Sequence, residues 1–475
     1  MAEPWWKTGV VYQIYPRSFC DANGDGMGDL DGIRSKLDHI AGLGVDAIWL
    51  SPVFTSPQKD MGYDVADYCD IDPLFGDLAA MDGLIAEAHD RKIRVLLDWV
   101  PNHTSDQHPW FLESRSSRDN PKADWYWWRD ATRADPPNNW EANFVGGPAW
   151  TWCEERQQVY LHNFLPEQPD LNWRNADVRA AMYDTLRFWL DRGVDGFRID
   201  VIHLLGKPED LPDQPEDVGA RLRFFDFDDT HPILREIRSL LDAYPGDRVS
   251  VGEVYLLSTQ LVAKYYGDND ELHLAFNFPP LYAPWDAAAW RKRIDRVRQE
   301  ITGAAWPTWV LSNHDNPRHR TRYGGSEGRA RAAAVLLLTL RGTPFLYAGE
   351  ELGLEDASVA RAEMLDPGGR DGCRAPIPWD TAADNMMVDL YRQLTTARRA
   401  SPALCQGDFA WIDSPPGTLV YERSAGDDHR IVAINFTDEV KPVLLPEGDW
   451  HAEVTTGGAF AGQLLADQAV VLRPA

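Results

Sequence analysis

Residues 94–100 read RVLLDWV, a short and almost continuously apolar run that ends just before Pro101. Such a run is typical of a strand that is buried on both faces of a parallel sheet. Seven other runs share this pattern, and each is followed by turn residues and then by an amphipathic, helix-like segment. These runs are VVYQIYP (10–16), AIWLSPV (47–53), GFRIDVI (196–202), RVSVGEVY (248–255), LHLAFNF (272–278), TWVLSNHD (308–315) and PFLYAGEE (344–351). Eight strands that alternate with helices predict an α/β fold, a (β/α)8 TIM barrel.

The spacing of these runs also predicts two attached domains. Between the third and fourth runs lies a long stretch rich in Trp, Asn, Pro and Gly, far longer than one helical crossover needs. Near the C-terminus the pattern changes to alternating strands such as TLVYER (418–423) and RIVAINF (430–436). We therefore expect a barrel over 1–102 and 174–402, an inserted irregular domain over 103–173, and an all-β sandwich over 403–475.

The composition argues against two classes of partner. The chain has 475 residues, with 47 Lys and Arg against 74 Asp and Glu, which gives a formal net charge of −27. This charge repels nucleic-acid phosphates and anionic membranes, so neither is expected as a partner. The first residues resemble no secretory signal, and no run is long enough to span a membrane, which predicts a cytoplasmic protein. Monomer and homodimer both stay open.

The five cysteines are widely spaced and form no C-x-x-C pair, so we expect reduced thiols without zinc or redox chemistry. No organic cofactor is expected.

Four acids occupy the carboxyl ends of the predicted barrel strands, where the loops of such a barrel form its main cleft. They are Asp98, Asp200, Glu253 and Asp315. A single acid after a strand often caps the following helix, and that explanation is open for each acid alone. Four acids at the same end of different strands, near His103, His314 and Arg198, favour a catalytic site instead.

Converging carboxyl groups suit the cleavage of a glycosidic bond, which needs one ionised carboxylate and one protonated acid. Arg198 lies two residues before Asp200 on the same face of its strand, so its charge is expected to lower the pKa of Asp200, as a nucleophile requires. Glu253 has no basic neighbour in the sequence, and burial is expected to raise its pKa towards that of a general acid.

Four motifs, in this order, resemble the conserved regions of glycoside hydrolase family 13, the α-amylase superfamily. They are DWVPNHTS (98–105), GFRIDVIH (196–203), GEVY (252–255) and SNHDN (312–316). A fifth stretch, QPDLN (168–172), resembles the signature of the oligo-1,6-glucosidase and α-glucosidase subgroup. The resemblance implies a retaining α-glucosidase that acts on small oligosaccharides of the maltose or isomaltose type.

The resemblance also implies a role for each matching residue. Asp200 would be the nucleophile, Glu253 the general acid/base, and Asp315 the carboxylate that stabilises the transition state. The other residues would bind the non-reducing-end glucose or orient this group; they are His103, Arg198, His314 and the structural acid Asp98.

Further residues resemble the wall of a closed glucose pocket. In KDMGYD (59–64), Asp60 would bind outer hydroxyl groups and Tyr63 would stack on the sugar ring, although an ordinary polar turn would also explain this segment. Phe144 and Phe164 resemble aromatic walls, or else core residues. In GRDGCRAPIPW (369–379), Arg374, or alternatively Arg370, would pair with Asp60 and close the pocket, which implies exo-action.

The segment DANGDGMGD (21–29) is rich in the oxygen ligands that hard cations prefer. The family often carries a Ca2+ in this loop, so we expect one structural Ca2+, or Mg2+, and the alternative is a self-satisfied Asx turn. The expected ligands are Asp21, Asn23, Asp25, the backbone carbonyl of Met27, and Asp29.

Other interpretations stay open. The same residues would serve a transglycosylase or an isomerase such as a trehalose synthase, and a non-catalytic sugar-binding relative could keep the barrel. Val201 resembles the α-1,6-tolerant members of the subgroup, but one residue does not settle linkage preference. Many of the 20 tryptophans fall in the inserted segment, where we expect them to form the rim of the sugar pocket or to pack a small core.

Overall fold

The computed structural model describes residues 3–221, 224–381 and 385–475. Eight parallel strands form one sheet in the order six, five, four, three, two, one, eight, seven, counted along the chain. These barrel strands are Val11–Ile14, Ala47–Leu50, Arg94–Trp99, Gly196–Ile199, Val249–Glu253, Leu274–Phe276, Thr308–Val310 and Thr343–Tyr347. The described residues show no ladder between strands six and seven, but Thr308 Oγ1 donates to the Ala275 carbonyl there over 2.8 Å. The predicted TIM barrel is confirmed.

Helices cover the outside of this sheet. Helix Leu78–Asp90 begins after Asp77, whose side chain accepts a hydrogen bond from Ala80 N, and its apolar face is buried. The other α-helices are Trp5–Thr8, Pro16–Phe19, Leu30–Ser35, Leu37–Gly42, Pro109–Ser116, Ala176–Asp191, Val218–Arg221, Thr230–Asp242, Thr259–Lys264, Phe278–Leu281, Ala287–Glu300, His319–Arg322, Glu327–Thr339, Met386–Ala400 and Pro402–Gln406. Single 3-10 turns are Ile202–Leu204, Arg361–Glu363 and Trp379–Thr381.

The lumen of the barrel is a packed apolar core beneath the carboxyl ends of the strands. Alternate residues point inward, which places Val11, Ala47 and Leu96 in one cluster with the rings of Trp49 and Phe276. Because this core fills the lower part of the barrel, polar side chains one step further along the same strands are presented at its top.

The inserted segment between strands three and four carries a three-stranded antiparallel sheet. Its strands are Trp128–Arg129, Trp150–Cys153 and Gln158–Leu161. Of the two interpretations of its tryptophans, a pocket rim or the core of a small domain, the burial of most of these rings favours the core. The buried rings are Trp125, Trp127, Trp128, Trp140, Trp150 and Trp173. A segment with so little regular structure depends on large rings for its core.

The C-terminal region is all-β. A five-stranded antiparallel sheet is built from Asp408–Ile412, Thr418–Ala425, Asp428–Asn435, Trp450–Thr455 and Ala469–Pro474. A second sheet in this region pairs Lys441–Pro442 with Gln463–Leu464. Outside this region, a separate hairpin near the barrel mouth pairs Phe54–Thr55 with Asp67–Ile71. Val443 and Leu464 pack against residues of the larger sheet such as Val420 and Leu472.

Within the described ranges, no helix combines the length and apolar character needed to cross a membrane. All five cysteines are free.

Candidate active site

Arg198 is the centre of a buried group of charges at the top of the barrel. The strand register places Asp98 directly beside Arg198, and Glu253 lies at the end of the next strand. Arg198 Nη1 donates to Asp98 Oδ1 over 2.8 Å and to Asp200 Oδ1 over 2.5 Å, while Nη2 donates to Glu253 Oε2 over 2.6 Å. One guanidinium group therefore holds three of the predicted carboxyl groups together.

The pKa of Asp200 is raised, contrary to the expectation from sequence. Burial raises the pKa of its carboxyl, Arg198 opposes this effect, and the nearby Glu253 and Asp98 carboxyl groups raise the pKa further. Burial likewise raises the pKa of Asp98 to about 7, although Arg198 again opposes it. Asp98 and Asp200 therefore hold a proton more tightly than exposed carboxyl groups do.

The basic partner of Glu253 is Arg198, which reaches it from the adjacent strand. Glu253 has no basic neighbour in the sequence, but the fold supplies one. The backbone N–H of Val201 donates a second hydrogen bond to Glu253 Oε2, over 3.2 Å. Val201 itself adopts the left-handed conformation with φ 33°, an uncommon state for a β-branched residue.

Arg370 and Arg374 hold Asp315 from the loop after strand eight. Arg370 Nη1 and Arg374 Nη2 donate to Asp315 Oδ1 over 2.7 and 3.1 Å. Burial acts to raise the pKa of Asp315, but His314, Arg370 and Arg374 together outweigh it and hold this pKa well below its usual value. Arg370 Nη2 also donates to Asp60 Oδ1 over 3.1 Å, so Arg370 rather than Arg374 pairs with Asp60. The prediction that favoured Arg374 is wrong, because its nitrogens are engaged by Asp315 and by the carbonyl of His314.

His314 and Tyr63 connect this arginine-bound side to the Arg198 group. Their rings stack with centroids 5.5 Å apart and planes 4° apart. Gln13 Nε2 lies 2.7 Å from His314 Nδ1, His314 Nε2 lies 2.5 Å from the Tyr63 hydroxyl, and that hydroxyl donates to Asp98 Oδ2. Burial lowers the pKa of His314 far below its ordinary value, so the imidazole is neutral.

His103 and Asp60 share a second polar wall. Gln168 Nε2 lies 3.1 Å from both Asp60 Oδ2 and His103 Nε2. Burial lowers the pKa of His103 to about 4 and raises the pKa of Asp60 to about 6. The sequence showed Gln168 only as part of a subgroup signature, and its contacts with both residues were missed.

Phe144 and Phe164 are brought to the same pocket. The Phe164 ring lies 5.1 Å from the His103 ring and 5.8 Å from the Phe144 ring. The Arg370 guanidinium lies 4.8 Å above the Phe144 ring, which is 44% exposed. The alternative that these are ordinary core rings therefore does not hold for Phe144.

Two further features were missed. Lys207 is fully buried, and its Nζ pairs with Asp170 over 2.9 Å and donates to Asn102 Oδ1 over 2.8 Å, directly behind His103. Tyr255 and Tyr282 are both 41% exposed and join hydroxyls over 3.0 Å. Tyr255 stands two residues after Glu253, a position that could have singled it out, whereas Lys207 gave no signal because it lies in an irregular loop.

The predicted cation loop is largely bonded to its own backbone. Asp21 accepts hydrogen bonds from Gly24 N and Gly26 N. The side chains of Asn23, Asp25 and Asp29 likewise accept backbone hydrogen bonds. Within the described part of the chain, no three acidic, histidine or cysteine side chains gather as a cation site requires. These contacts do not by themselves favour a metal centre, and the cation stays a prediction.

Comparison with known proteins places this site in a family. The model of the α-amylase catalytic domain matches residues 13–387. A probable α-glucosidase of Rhizobium meliloti is 39% identical over 97% of this chain and 94% of its own length, and an oligo-1,6-glucosidase of Heyndrickxia coagulans is 40% identical over 94% of each.

Two solved structures are similar along essentially their whole length. The α-glucosyl transfer enzyme XgtA has a TM-score of 0.92 at 39% identity, covering 100% of both chains. The trehalulose synthase MutB has a TM-score of 0.92 at 33% identity, covering 99% of this chain and 100% of its own. These matches show that the chain belongs to the α-amylase family of glycoside hydrolases, as its four sequence motifs predicted.

Proposed function

We propose that this glycoside hydrolase is an exo-acting, retaining α-glucosidase that releases glucose from the non-reducing end of short α-glucosides such as maltose and isomaltose. One observation carries the proposal: Arg370 joins Asp60 and Asp315 into a continuous ion-paired wall beside the catalytic carboxyl groups. Such a wall blocks a longer chain from extending past the terminal glucose, whereas an endo-acting enzyme needs an open cleft.

The arrangement around Arg198 supports a double displacement. Asp200 and Glu253 bind the same guanidinium group, which favours the short separation of about 5–5.5 Å that retaining enzymes use. In the first step the Asp200 carboxylate attacks the anomeric carbon, protonated Glu253 gives its proton to the glycosidic oxygen, and the aglycone leaves as an alcohol. In the second step the Glu253 carboxylate removes a proton from water, and the resulting hydroxide displaces Asp200 from the sugar.

The remaining polar groups would bind the sugar and its developing charge. The ionised Asp315 is suited to stabilise the oxocarbenium-like transition state. The neutral imidazoles of His103 and His314 can exchange hydrogen bonds with hydroxyl groups without adding a positive charge that would oppose this transition state.

A substrate panel tests the proposal. With p-nitrophenyl α-glucoside, maltose, isomaltose, sucrose and starch, we expect rapid hydrolysis of the short substrates, little activity on starch, and α-glucose as the first product detected by NMR. The Asp200→Ala variant should release no glucose, which would exclude a non-catalytic sugar-binding role for the wild-type protein. Equal rates on starch and maltose would contradict the closed pocket.

Transglycosylation is a second candidate, and the exposed Tyr255 and Tyr282 pair favours it. Aromatic side chains beside Glu253 offer a surface on which a second sugar could compete with water for the glucosyl group. Chromatography of the products from maltose decides between the two reactions. Trehalose or longer glucosides in excess of free glucose at low maltose concentration would favour transfer over hydrolysis.

A further inference from the structure

Asp366 lies outside every motif considered above, yet it contacts both arginines of the pocket wall. Its side chain is only 3% exposed. Oδ1 accepts hydrogen bonds from Gly368 N, Arg370 N and Arg370 Nε over 2.8, 3.2 and 2.8 Å. Oδ2 accepts from Arg370 Nη2 over 2.9 Å and from Arg374 Nη1 over 2.6 Å. Both oxygens are therefore fully used within one short loop.

These contacts solve an electrostatic problem at the wall. Arg370 and Arg374 both donate to the same oxygen of Asp315, so two buried cations lie close together and repel each other. The Asp366 carboxylate lies against both and offsets this repulsion. Burial acts to raise the pKa of Asp366, but the hydrogen bonds and charges of the arginines outweigh it and lower the pKa, so Asp366 is ionised.

Asp366 also fixes the direction of Arg370. It binds Nε and Nη2 together, a side-on arrangement that leaves Nη1 directed at Asp315 and the second hydrogen of Nη2 directed at Asp60. The intervening chain offers little stiffness of its own, because it contains Gly368 and Gly369, the latter at φ +69°. Within this turn Asp366 supplies the side-chain hydrogen bonds to the guanidinium, whose other contacts, Asp315, Asp60 and the Phe144 ring, come from elsewhere in the fold.

We infer that Asp366 is a specificity-determining positioning residue, which holds Arg370 against Asp60 and so keeps the non-reducing end of the pocket closed. The inference rests on the proposed exo-acting function. It predicts that loss of the Asp366 charge opens this end of the pocket to a second glucose unit.

The assay uses p-nitrophenyl α-maltoside. An exo-acting enzyme removes the terminal glucose first, so p-nitrophenol from the wild-type protein should appear after a lag and no maltose should form. In Asp366→Asn the amide oxygen can still accept from Gly368 N and Arg370 N, but the amide nitrogen cannot accept from Arg374. We expect this variant to release p-nitrophenol without a lag, together with maltose, and to raise KM for p-nitrophenyl α-glucoside at least tenfold with a smaller change in kcat.

Two further variants make the result specific. Asp366→Glu retains the charge and should partly restore the lag. Asp356→Asn is the matched control. Asp356 belongs to the same loop, but its side chain accepts a hydrogen bond from the backbone N–H of Arg318, and the side-chain oxygen of an asparagine can accept the same hydrogen bond. It should behave like the wild-type protein.

A folded Asp366→Asn that keeps the lag and forms no maltose would overturn the inference. If that variant does not fold, Asp366→Ser, whose hydroxyl can accept from Gly368 N, is judged by the same criterion. If the wild-type protein itself shows no lag and releases maltose, the proposed exo-action fails instead.

Discussion

At the scale of single residues, one arginine binds several acids of the candidate active site. Arg198 binds Asp98, Asp200 and Glu253 at once, and its side chain is 2% exposed. Loss of any one acid therefore changes the charge felt by the other two. Burial raises the pKa of Asp98 and of Asp200, and Arg198 opposes this effect at both carboxyl groups.

Replacing Glu253 by Gln separates the role of the proton donor from that of the nucleophile. Maltose has a poor leaving group, so we expect its hydrolysis to fall by about 10²–10⁴-fold without general-acid catalysis. p-Nitrophenolate needs no proton to leave, so the first step with p-nitrophenyl α-glucoside should be affected far less, and added azide should accelerate turnover. Steady-state rates on both substrates, with and without azide, measure this difference.

The control for that experiment is Asp200→Asn, which should lose both activities because the attacking carboxylate is gone. Equal losses on the two substrates in Glu253→Gln would show that Glu253 does not act as the proton donor.

The sequence singled out the candidate catalytic side chains but not their charges or pairings. Asp200, Glu253 and Asp315 followed from strand ends and motifs. The pKa of Asp200 was predicted with the wrong sign, because burial and the carboxyl groups of adjacent strands are invisible in a linear sequence. The choice between Arg370 and Arg374 failed for a similar reason: both follow the same Gly-rich turn, and only the fold shows which nitrogen faces Asp60.

At the scale of elements, the loop over 21–29 gives a prediction about metal dependence. A cation bound there would hold the loop, which connects helix Pro16–Phe19 to helix Leu30–Ser35 and contributes no residue to the Arg198 group. We expect EDTA to lower the melting temperature by several degrees while initial activity at 25 °C stays unchanged, and added Ca2+ to restore the melting temperature. Scanning calorimetry and initial rates measure the two effects.

Asp25→Asn should remove the sensitivity to EDTA if the loop is the site. Immediate loss of activity with EDTA would contradict a structural role for the cation, and an unchanged melting temperature would show that no stabilising cation is bound.

The start of helix Pro109–Ser116 gives a prediction about acid stability. His108 Nδ1 accepts a hydrogen bond from Trp110 N, and burial lowers the pKa of His108 to about 3. Between pH 7 and pH 5 the unfolded chain therefore binds a proton that the folded protein excludes, and the stability present near pH 7 is lost as the pH falls. This group alone should lower the free energy of unfolding by about 2 kcal/mol over that range.

Urea titrations at pH 7 and pH 5 measure this contribution against His108→Asn. Asparagine keeps an acceptor for Trp110 N but does not titrate, so the variant should lose about 2 kcal/mol less than the wild-type protein between the two values. An equal loss in both proteins would show that His108 is protonated in the folded state.

At the scale of the whole molecule, the barrel was predictable because every strand carries the same local pattern. The eight apolar runs contain or overlap the eight observed strands, and period-two alternation explains why Arg198 and Asp200 share a face. The tryptophans of the inserted segment were not predictable in the same way. An indole ring fits a pocket rim and a small core equally well in sequence, and only the packing of rings such as Trp140 and Trp150 decides.

Helix Glu327–Thr339 lies between the barrel and the C-terminal sheet and contacts both. It is buried on nearly all sides, which is typical of a helix enclosed between two layers. The Thr339 hydroxyl lies 2.5 Å from that of Tyr421 in the C-terminal sheet, and the Trp285 ring packs 4.2 Å from Phe436. Removing the sheet would therefore expose an apolar surface of the catalytic barrel.

We accordingly expect scanning calorimetry to show a single transition, with loss of activity at the same temperatures. Phe436→Ala, which empties a buried site at this contact, should cost about 3–5 kcal/mol and lower the unfolding and inactivation temperatures together. Leu444→Ala is the control, because Leu444 is 65% exposed and its loss should change stability by less than about 0.5 kcal/mol. Two separate transitions, or activity that survives unfolding of the C-terminal sheet, would contradict this coupling, because the barrel would then be stable without the layer that covers helix Glu327–Thr339.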